Sequence, residues 1–528
     1  MIDRRRFIKD AILAGAVAAA GCGRTRSTES AVPAQSTTLS FELEELTIAD
    51  LQARMDAGQY TARSITEAYL RRIGELDKQG PALRSIIETN PDALRIADAL
   101  DAERRSGGPR GPLHGIPVLL KDNVGTADSM TTTAGSLALE GSIPATDSVV
   151  AARLRAAGAV LLGKANMSEW ANFRSTQSTS GWSARGGLCR NPYVLDRNPC
   201  GSSSGSAVAT SANLCSVSIG TETDGSIVCP SNANGLVGIK PSVGLVSGAG
   251  IIPLAHSQDV AGPLTRTVRD GAIVLGVLAG VDYTASLDGN DGNGLRGARI
   301  GVARNLFGFD SDVDKLMEAA IDVMRQSGAE IIDAANIRTI ALFRTTELEV
   351  LKYEFKADLN SYLQSLGSAA PVKSLREIID FNERNRDREM PFFGQELFLQ
   401  SEAKGPLSSG EYLAALRASQ RLSREQGIDL VMNMDRLDAI CAPTGGPAWI
   451  SDLVHGDHVD GGSAAPAAVA GYPNITVPAG FIQDLPIGIS FFGRNRSEPA
   501  LLRIAYAYEQ ATRHRRPPHF LPTSPAGI

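Results

Sequence analysis

The chain has 528 residues, a net charge of −6 at pH 7, 43% apolar residues and 21% charged residues. Those fractions exclude a disordered or collagen-like chain, and the acidic balance argues against a general nucleic-acid binder. Glycine is the unusual count: 53 residues, one in ten, against about 7% in ordinary proteins.

The N-terminus reads as an address. Asp3-Arg4-Arg5-Arg6-Phe7-Ile8-Lys9 resembles the twin-arginine export motif, and an apolar stretch follows over 11–20. That stretch falls short of the ~20 residues that span a bilayer, but it suits the apolar region of a signal peptide. It ends at Ala19-Ala20-Gly21-Cys22, which resembles a lipoprotein cleavage box with Cys22 as the lipidated residue. Ala18-Ala19-Ala20 alternatively suits a simple signal peptidase. The expected organisation is a signal peptide over 1–21, a Ser/Thr-rich flexible tether over 22–44 and one domain over 45–522. The expected location is the periplasm, free or on a membrane tether through Cys22.

Helices are predicted over 47–57 and 61–78, and a third opens at Asn90-Pro91, an Asn cap followed by Pro at the first helical position. The apolar run 116–120 ends in Lys121-Asp122-Asn123 and reads as a buried strand. A helix over 147–157, a strand over 159–162, a helix over 204–213 and a strand over 215–219 follow. Downstream, 311–326 reads as a helix, 438–442, 475–477 and 487–492 as strands, and the segment from Ser497 as a last helix. The stretch 285–430 is weakly patterned and reads as insertions over a substrate cleft. Strands alternating with helices predict an α/β fold with a mixed β-sheet core flanked by helices on both faces. With no repeat and no linker after residue 46, one large domain is expected.

The cysteines are Cys22, Cys189, Cys200, Cys215, Cys229 and Cys441, with no CxxC pair. Zinc-ribbon and thioredoxin readings therefore fail. Buried structural thiols are the default reading, and a disulfide in an oxidising compartment stays open.

The polar signal concentrates in Cys200-Gly-Ser-Ser-Ser-Gly-Ser206 and Gly220-Thr-Glu-Thr-Asp-Gly-Ser226. These serines alternate with apolar runs, so they belong at element ends, where α/β folds place their chemistry. Gly201-Ser-Ser-Ser-Gly205 formally matches a nucleophile elbow centred on Ser203, but Arg197-Asn198-Pro199-Cys200 is a poor preceding strand. A Lys at the end of a buried strand loses water, which lowers its pKa and lets it act as a base toward serine.

Together, Lys121-Asp-Asn after Gly115-Ile-Pro-Val118, the serine-glycine run and Thr223-Asp-Gly-Ser-Ile-Val-Cys-Pro230 resemble the amidase signature family. The resemblance runs from about 45 to 520 and is densest over 111–270. Ser168-Glu-Trp-Ala-Asn-Phe-Arg174, Ser180-Gly-Trp-Ser-Ala-Arg185 and Gly248-Ala-Gly-Ile-Ile-Pro253 are most similar to its bacterial peptide amidases. The resemblance implies a Ser–cis-Ser–Lys triad: Ser226 as nucleophile, Ser202 as bridging serine after a cis bond from Gly201, and Lys121 as base. It implies an oxyanion hole from the backbone of Thr223, Asp224, Gly225 and Ser226, with Ser203 and Asp224 in support. Cys200 and Ser204 depart from the common form Gly-Gly-Ser-Ser-Gly-Gly-Ser.

The implied activity is hydrolysis of carbon–nitrogen amide bonds, without metal or cofactor, on small-molecule or peptide amides. Peptides with a C-terminal amide are favoured over aryl- or fatty-amide substrates. The family's tRNA-transamidating subunits fit poorly with export, and a tethered solute-binding lipoprotein has no need of the three residues together. Trp170, Phe173 and Trp182 are candidates for a substrate pocket. His455 and His458 could form a metal pair, although a solvated loop fits them better, and no nucleotide-binding motif is present.

Overall fold

A computed structural model describes residues 41–288, 293–367 and 370–524. The expected signal peptide, Cys22 and nearly all of the expected tether lie outside the described residues. Among the described residues, thirteen strands form: β1 (Ile86–Thr89), β2 (Pro117–Lys121), β3 (Val160–Ala165), β4 (Trp182–Ser183), β5 (Gly187–Leu188), β6 (Val217–Glu222) and β7 (Val237–Lys240). Then come β8 (Val260–Thr265), β9 (Arg299–Val302), β10 (Glu330–Ile332), β11 (Ala439–Pro443), β12 (Asn474–Ile482) and β13 (Leu485–Phe492).

Eleven of them make one sheet in the order β1-β3-β2-β6-β8-β7-β12-β13-β11-β9-β10, while β4 and β5 pair separately. The sheet is mixed. β2 runs parallel to β3 and β6, β9 runs parallel to β10 and β11, and the strands from β6 through β12 pair antiparallel. The parallel pair β2–β6 matters most for function. It brings the carboxyl ends of two fully buried strands together, with Lys121 on one and Glu222 on the other.

One extended core runs through the sheet and the helices that flank it, from Leu43 to Tyr508. Helix Ser311–Gln326 shows why such segments fold as they do. Asp310 caps it through the N–H groups of Asp312 and Val313, and Val313, Met317, Ala320, Ile321 and Met324 form its buried stripe. The third helix starts later than its sequence suggests, at Ala93. Asn90 is committed elsewhere: its Nδ2 donates to the Leu161 carbonyl at 2.8 Å, and its Oδ1 accepts from Asp92 N–H at 2.9 Å, closing a turn instead of a helix.

The stretch 285–430 divides in two. Its first part supplies β9 and β10 to the main sheet, so it is no insertion. Its second part is helical: Ile340–Ser365, Leu375–Arg384, Glu396–Glu402 and Gly410–Ser423 build a layer that shares one apolar cluster with residues such as Leu139, Trp170 and Leu254 and has another of its own around Val350, Tyr353 and Tyr412. Among the described residues, no helix is long and apolar enough to cross a membrane.

Candidate active site

Lys121 is fully buried at the end of β2. Its Nζ donates to Ser202 Oγ at 2.8 Å, Thr221 Oγ1 at 2.9 Å and the Thr221 carbonyl at 3.1 Å. All three acceptors are neutral. Burial lowers the Lys121 pKa to about 7, and the more distant carboxylates of Asp259 and Glu222 pull it back up. A sizeable fraction of free amine therefore exists near neutrality, held on a serine hydroxyl.

Two segments bring the serines in. The first is 200–204, where the Gly201–Ser202 peptide is cis. A β-carbon on Gly201 would lie 2.2 Å from Ser168 Oγ, so only glycine fits there. The second is the turn after β6. Gly225 has φ +80°, a left-handed backbone that suits glycine, and Ser226 keeps 8% of its surface accessible. Ser203 joins the segments: its N–H donates to the Ser226 carbonyl at 3.2 Å, its Oγ donates to the Thr221 carbonyl at 3.0 Å, and that Oγ accepts from Thr221 N–H at 3.2 Å. Ser203 is thus engaged on the backbone and is not free to attack, which disposes of the elbow reading.

The backbone of 223–226 is open to a ligand. The carbonyls of Gly225 and Ser226 accept from Cys229 and Ser203, but the amides of Thr223, Asp224, Gly225 and Ser226 donate to no described residue. Glu222 meanwhile takes the amides of Ile227 and Val228 at 2.7 and 3.0 Å, capping the helix that follows. Thr223 Oγ1 donates to Asp259 Oδ1 at 2.6 Å, which anchors the turn from the side. The Asp224 side chain is exposed to the cleft that Gly201 and Gly225 also line. Loss of bulk water and the neighbouring Glu347 push its carboxyl well above the ordinary range.

Two cavities flank this centre. One of about 570 Å³ is lined by Asn123, Thr221 and Thr223 at the site, then by Trp170, Ile252, Leu254 and Phe355 among other apolar groups. The second, of about 260 Å³, is lined by Gly201, Asp224 and Gly225 and by polar groups including Asn172, Arg344 and Asp457. Trp170 lines the larger cavity, with φ +49°, an unusual backbone for a bulky residue. Phe173 and Trp182 line neither cavity. Phe173 packs edge-on against Phe355, with ring centroids 5.2 Å apart, and Trp182 packs against Phe392 and Phe393 at 5.6 and 5.1 Å.

Several residues at the site escaped the sequence reading. Thr221 is the second side-chain partner of Lys121, and Asn123 Nδ2 holds its Oγ1 at 3.0 Å. Both lie inside the motifs that drew attention, so a count of acceptors for a buried lysine would have found them. Arg174 is fully buried between Glu169 Oε1, at 2.6 Å, and Glu389 Oε2, at 3.6 Å. Its guanidinium also lies 4.4 Å from the Phe393 ring centroid. No spacing rule links residues 215 positions apart. His455 and His458 both rest on Asp452 Oδ2, at the surface. Cys189, Cys215 and Cys441 are buried thiols, whereas Cys200 and Cys229 form a disulfide, so the default reading fails for that pair.

An α/β fold with a buried lysine on a serine, beside a glycine turn with open amides, defines a class of serine-dependent hydrolases more narrowly than the fold alone. A family model described as Amidase matches residues 64–502. The chain belongs to the amidase signature family and is an amidase-type hydrolase. It is 49% identical to the structure of native peptide amidase from Stenotrophomonas maltophilia, with a TM-score of 0.86, covering 91% of this chain and 100% of that one. It is 50% identical to peptide amidase PAM in complex with the competitive inhibitor chymostatin, with a TM-score of 0.88 and the same coverage. A probable amidase of Arabidopsis thaliana is 42% identical over 504 residues, covering 91% of this chain and 93% of that protein.

Proposed function

We propose that the enzyme hydrolyses linear amides, with C-terminal peptide amides as the preferred class, through an acyl-enzyme on Ser226. Ser226 Oγ attacks the amide carbonyl carbon and passes its proton to Ser202, whose own proton goes to Lys121. The tetrahedral oxyanion accepts from the open amides of 223–226. Collapse breaks the C–N bond, and the proton returns from Lys121 through Ser202 to the leaving ammonia. Water then repeats the cycle on the ester.

The observation that carries this reading is the 2.8 Å hydrogen bond from buried Lys121 to Ser202, with a lysine pKa of about 7. The large apolar cavity beside Thr221 and Thr223 suits the acyl side of a peptide, and the similarity to peptide amidases points the same way. The test is fluorophosphonate labelling followed by peptide mapping, with ammonia release from a panel of peptide amides, anilides and fatty amides. Label on Ser226 and fastest turnover of peptide amides are expected. Label elsewhere would overturn the mechanism, and preference for anilides or fatty amides would overturn the substrate class.

The N-terminal motif supports a further part of the reading: export through the twin-arginine route and a membrane tether at Cys22. Mass spectrometry of the mature N-terminus decides it. A diacylated Cys22 is expected, and an intact Met1 would refute export.

A further inference from the structure

The Cys200–Cys229 disulfide joins the two segments that bring the serines together. Cys200 immediately precedes Gly201–Ser202. Cys229 lies three residues beyond Ser226, and its N–H donates to the Gly225 carbonyl at 2.8 Å. Apart from this bond, Ser203 supplies the direct ties noted above between the serine segment and the β6 turn. Cys200 also has φ +57°, a left-handed backbone that favours glycine. Glycine stands at this position in the common family form, so the side chain is kept where its backbone disfavours it. Both cysteines line the 260 Å³ cavity with Gly201, Asp224 and Gly225, and neither lines the 570 Å³ cavity.

We propose that this disulfide is a positioning element for amide hydrolysis: it fixes the turn carrying Ser226 against the segment carrying Ser202. The proposal rests on the reading of Ser226 as nucleophile and Ser202 as bridging serine. Its effect falls on the chemical step, because the apolar cavity that would hold the acyl group is built from other residues. A small dithiol entering the polar cavity opens the bond. One reagent thiolate attacks a cysteine sulfur, the second closes the reagent's own disulfide, and two cysteine thiols remain.

The experiment measures kcat and KM on a peptide amide, and the rate of fluorophosphonate labelling at Ser226, for the full chain. It compares oxidised, dithiothreitol-reduced and re-oxidised protein, with kcat expressed per titrated Ser226. Reduction is expected to lower kcat per site and labelling rate about ten- to a hundredfold, with KM within about threefold and recovery on re-oxidation. Cys200→Gly, which also relieves the backbone, and the double variant Cys200→Gly/Cys229→Ala should fall by the same factor, since both remove one bond. A merely structural role would reduce the number of titrated sites and leave kcat per site unchanged, and that result overturns the proposal. If oxidised protein is labelled at Ser226 but releases no ammonia, the substrate reading fails and the labelling rates still decide. If Ser226 is never labelled, the proposal falls with that reading.

Discussion

The serine centre and the helical layer over 340–434 meet at the two cavities, yet they are built on opposite terms. Around the centre, Lys121, Ser202, Ser203, Ser204, Ser206, Thr210 and Ser218 are all fully buried, and polarity there is tolerated because hydrogen bonds answer it. The layer instead leaves Leu342, Leu348, Leu413, Leu430 and Met434 exposed and contributes walls such as Phe355. The difference separates two tasks. The centre's buried hydroxyls and Lys121 are held by hydrogen bonds at strand ends, and apolar surface is contributed from a distant part of the chain.

The sharpest way to break this comparison is to remove one member of the network. Ser226→Ala and Lys121→Met should each lower kcat by about 10⁴–10⁶-fold, as groups that act as one unit do. Far-UV circular dichroism and Tm should stay close to wild type, because Met fills the lysine's buried volume without its charge. Residual activity above a hundredth of wild type in either variant would remove that residue from the chemistry.

The next effect tests the seam between the regions. Arg174 joins Glu169, on the site side, to Glu389, on the layer side, and all three side chains are fully buried. Burial already pushes the Glu169 carboxyl up, and Glu389 adds to it, while Arg174 opposes both. Arg174→Met leaves two buried carboxyls with only neutral donors, Ala184 N–H for Glu169 and Ser136 Oγ and Leu137 N–H for Glu389. It should cost about 3–5 kcal/mol of stability by denaturant unfolding. A loss below about 1 kcal/mol would show that layer and centre are not coupled through this residue.

How much was legible follows the same division. Ser202 and Ser226 were singled out by the family resemblance, since the local Gly201–Gly205 pattern pointed to Ser203, whereas Lys121 stood out locally, at the end of an apolar run. The strands β2, β6, β11, β12 and β13 were found for the same reason, within a few residues. β9 and β10, of four and three residues, are too short to show a period. β8 contains Gly262 and Pro263, which read as breakers; pairing with β6 and β7 overrides them. Partners such as Gln258, whose Nε2 bridges the Thr223 carbonyl at 3.2 Å and Glu347 at 3.0 Å, depend on tertiary contacts that no spacing encodes.

A smaller effect sharpens the role of the layer. Phe355 lines the apolar cavity and stacks on Phe398 with centroids 5.1 Å apart. Phe355→Leu should raise KM for a peptide amide with an apolar side chain about tenfold, with kcat within about threefold. An equal fall in kcat with KM unchanged would place this wall in the reaction geometry and erase the division of tasks.

The smallest effect is a shift of the pH profile. In the proposed relay Lys121 takes the proton from Ser202 only when unprotonated, so kcat/KM should rise with pH through an apparent pKa near 7 and level off above it. Burial sets that value, and Asp259 works against it by stabilising the ammonium. Asp259→Asn removes the charge and keeps one oxygen, which can accept from the Leu254 and Ala255 N–H groups while the new NH2 donates to the Thr223 hydroxyl oxygen. Lys121 then deprotonates more readily, and the midpoint of the rise should move to lower pH by a few tenths of a unit. Asp259 itself has a carboxyl raised to about 6 by burial, so its own ionisation overlaps the lower part of the limb. The variant should therefore also make the limb closer to a single ionisation. A midpoint that moves upward, or a limb unchanged in both position and shape, would mean that the ionisation controlling the rate is not that of Lys121.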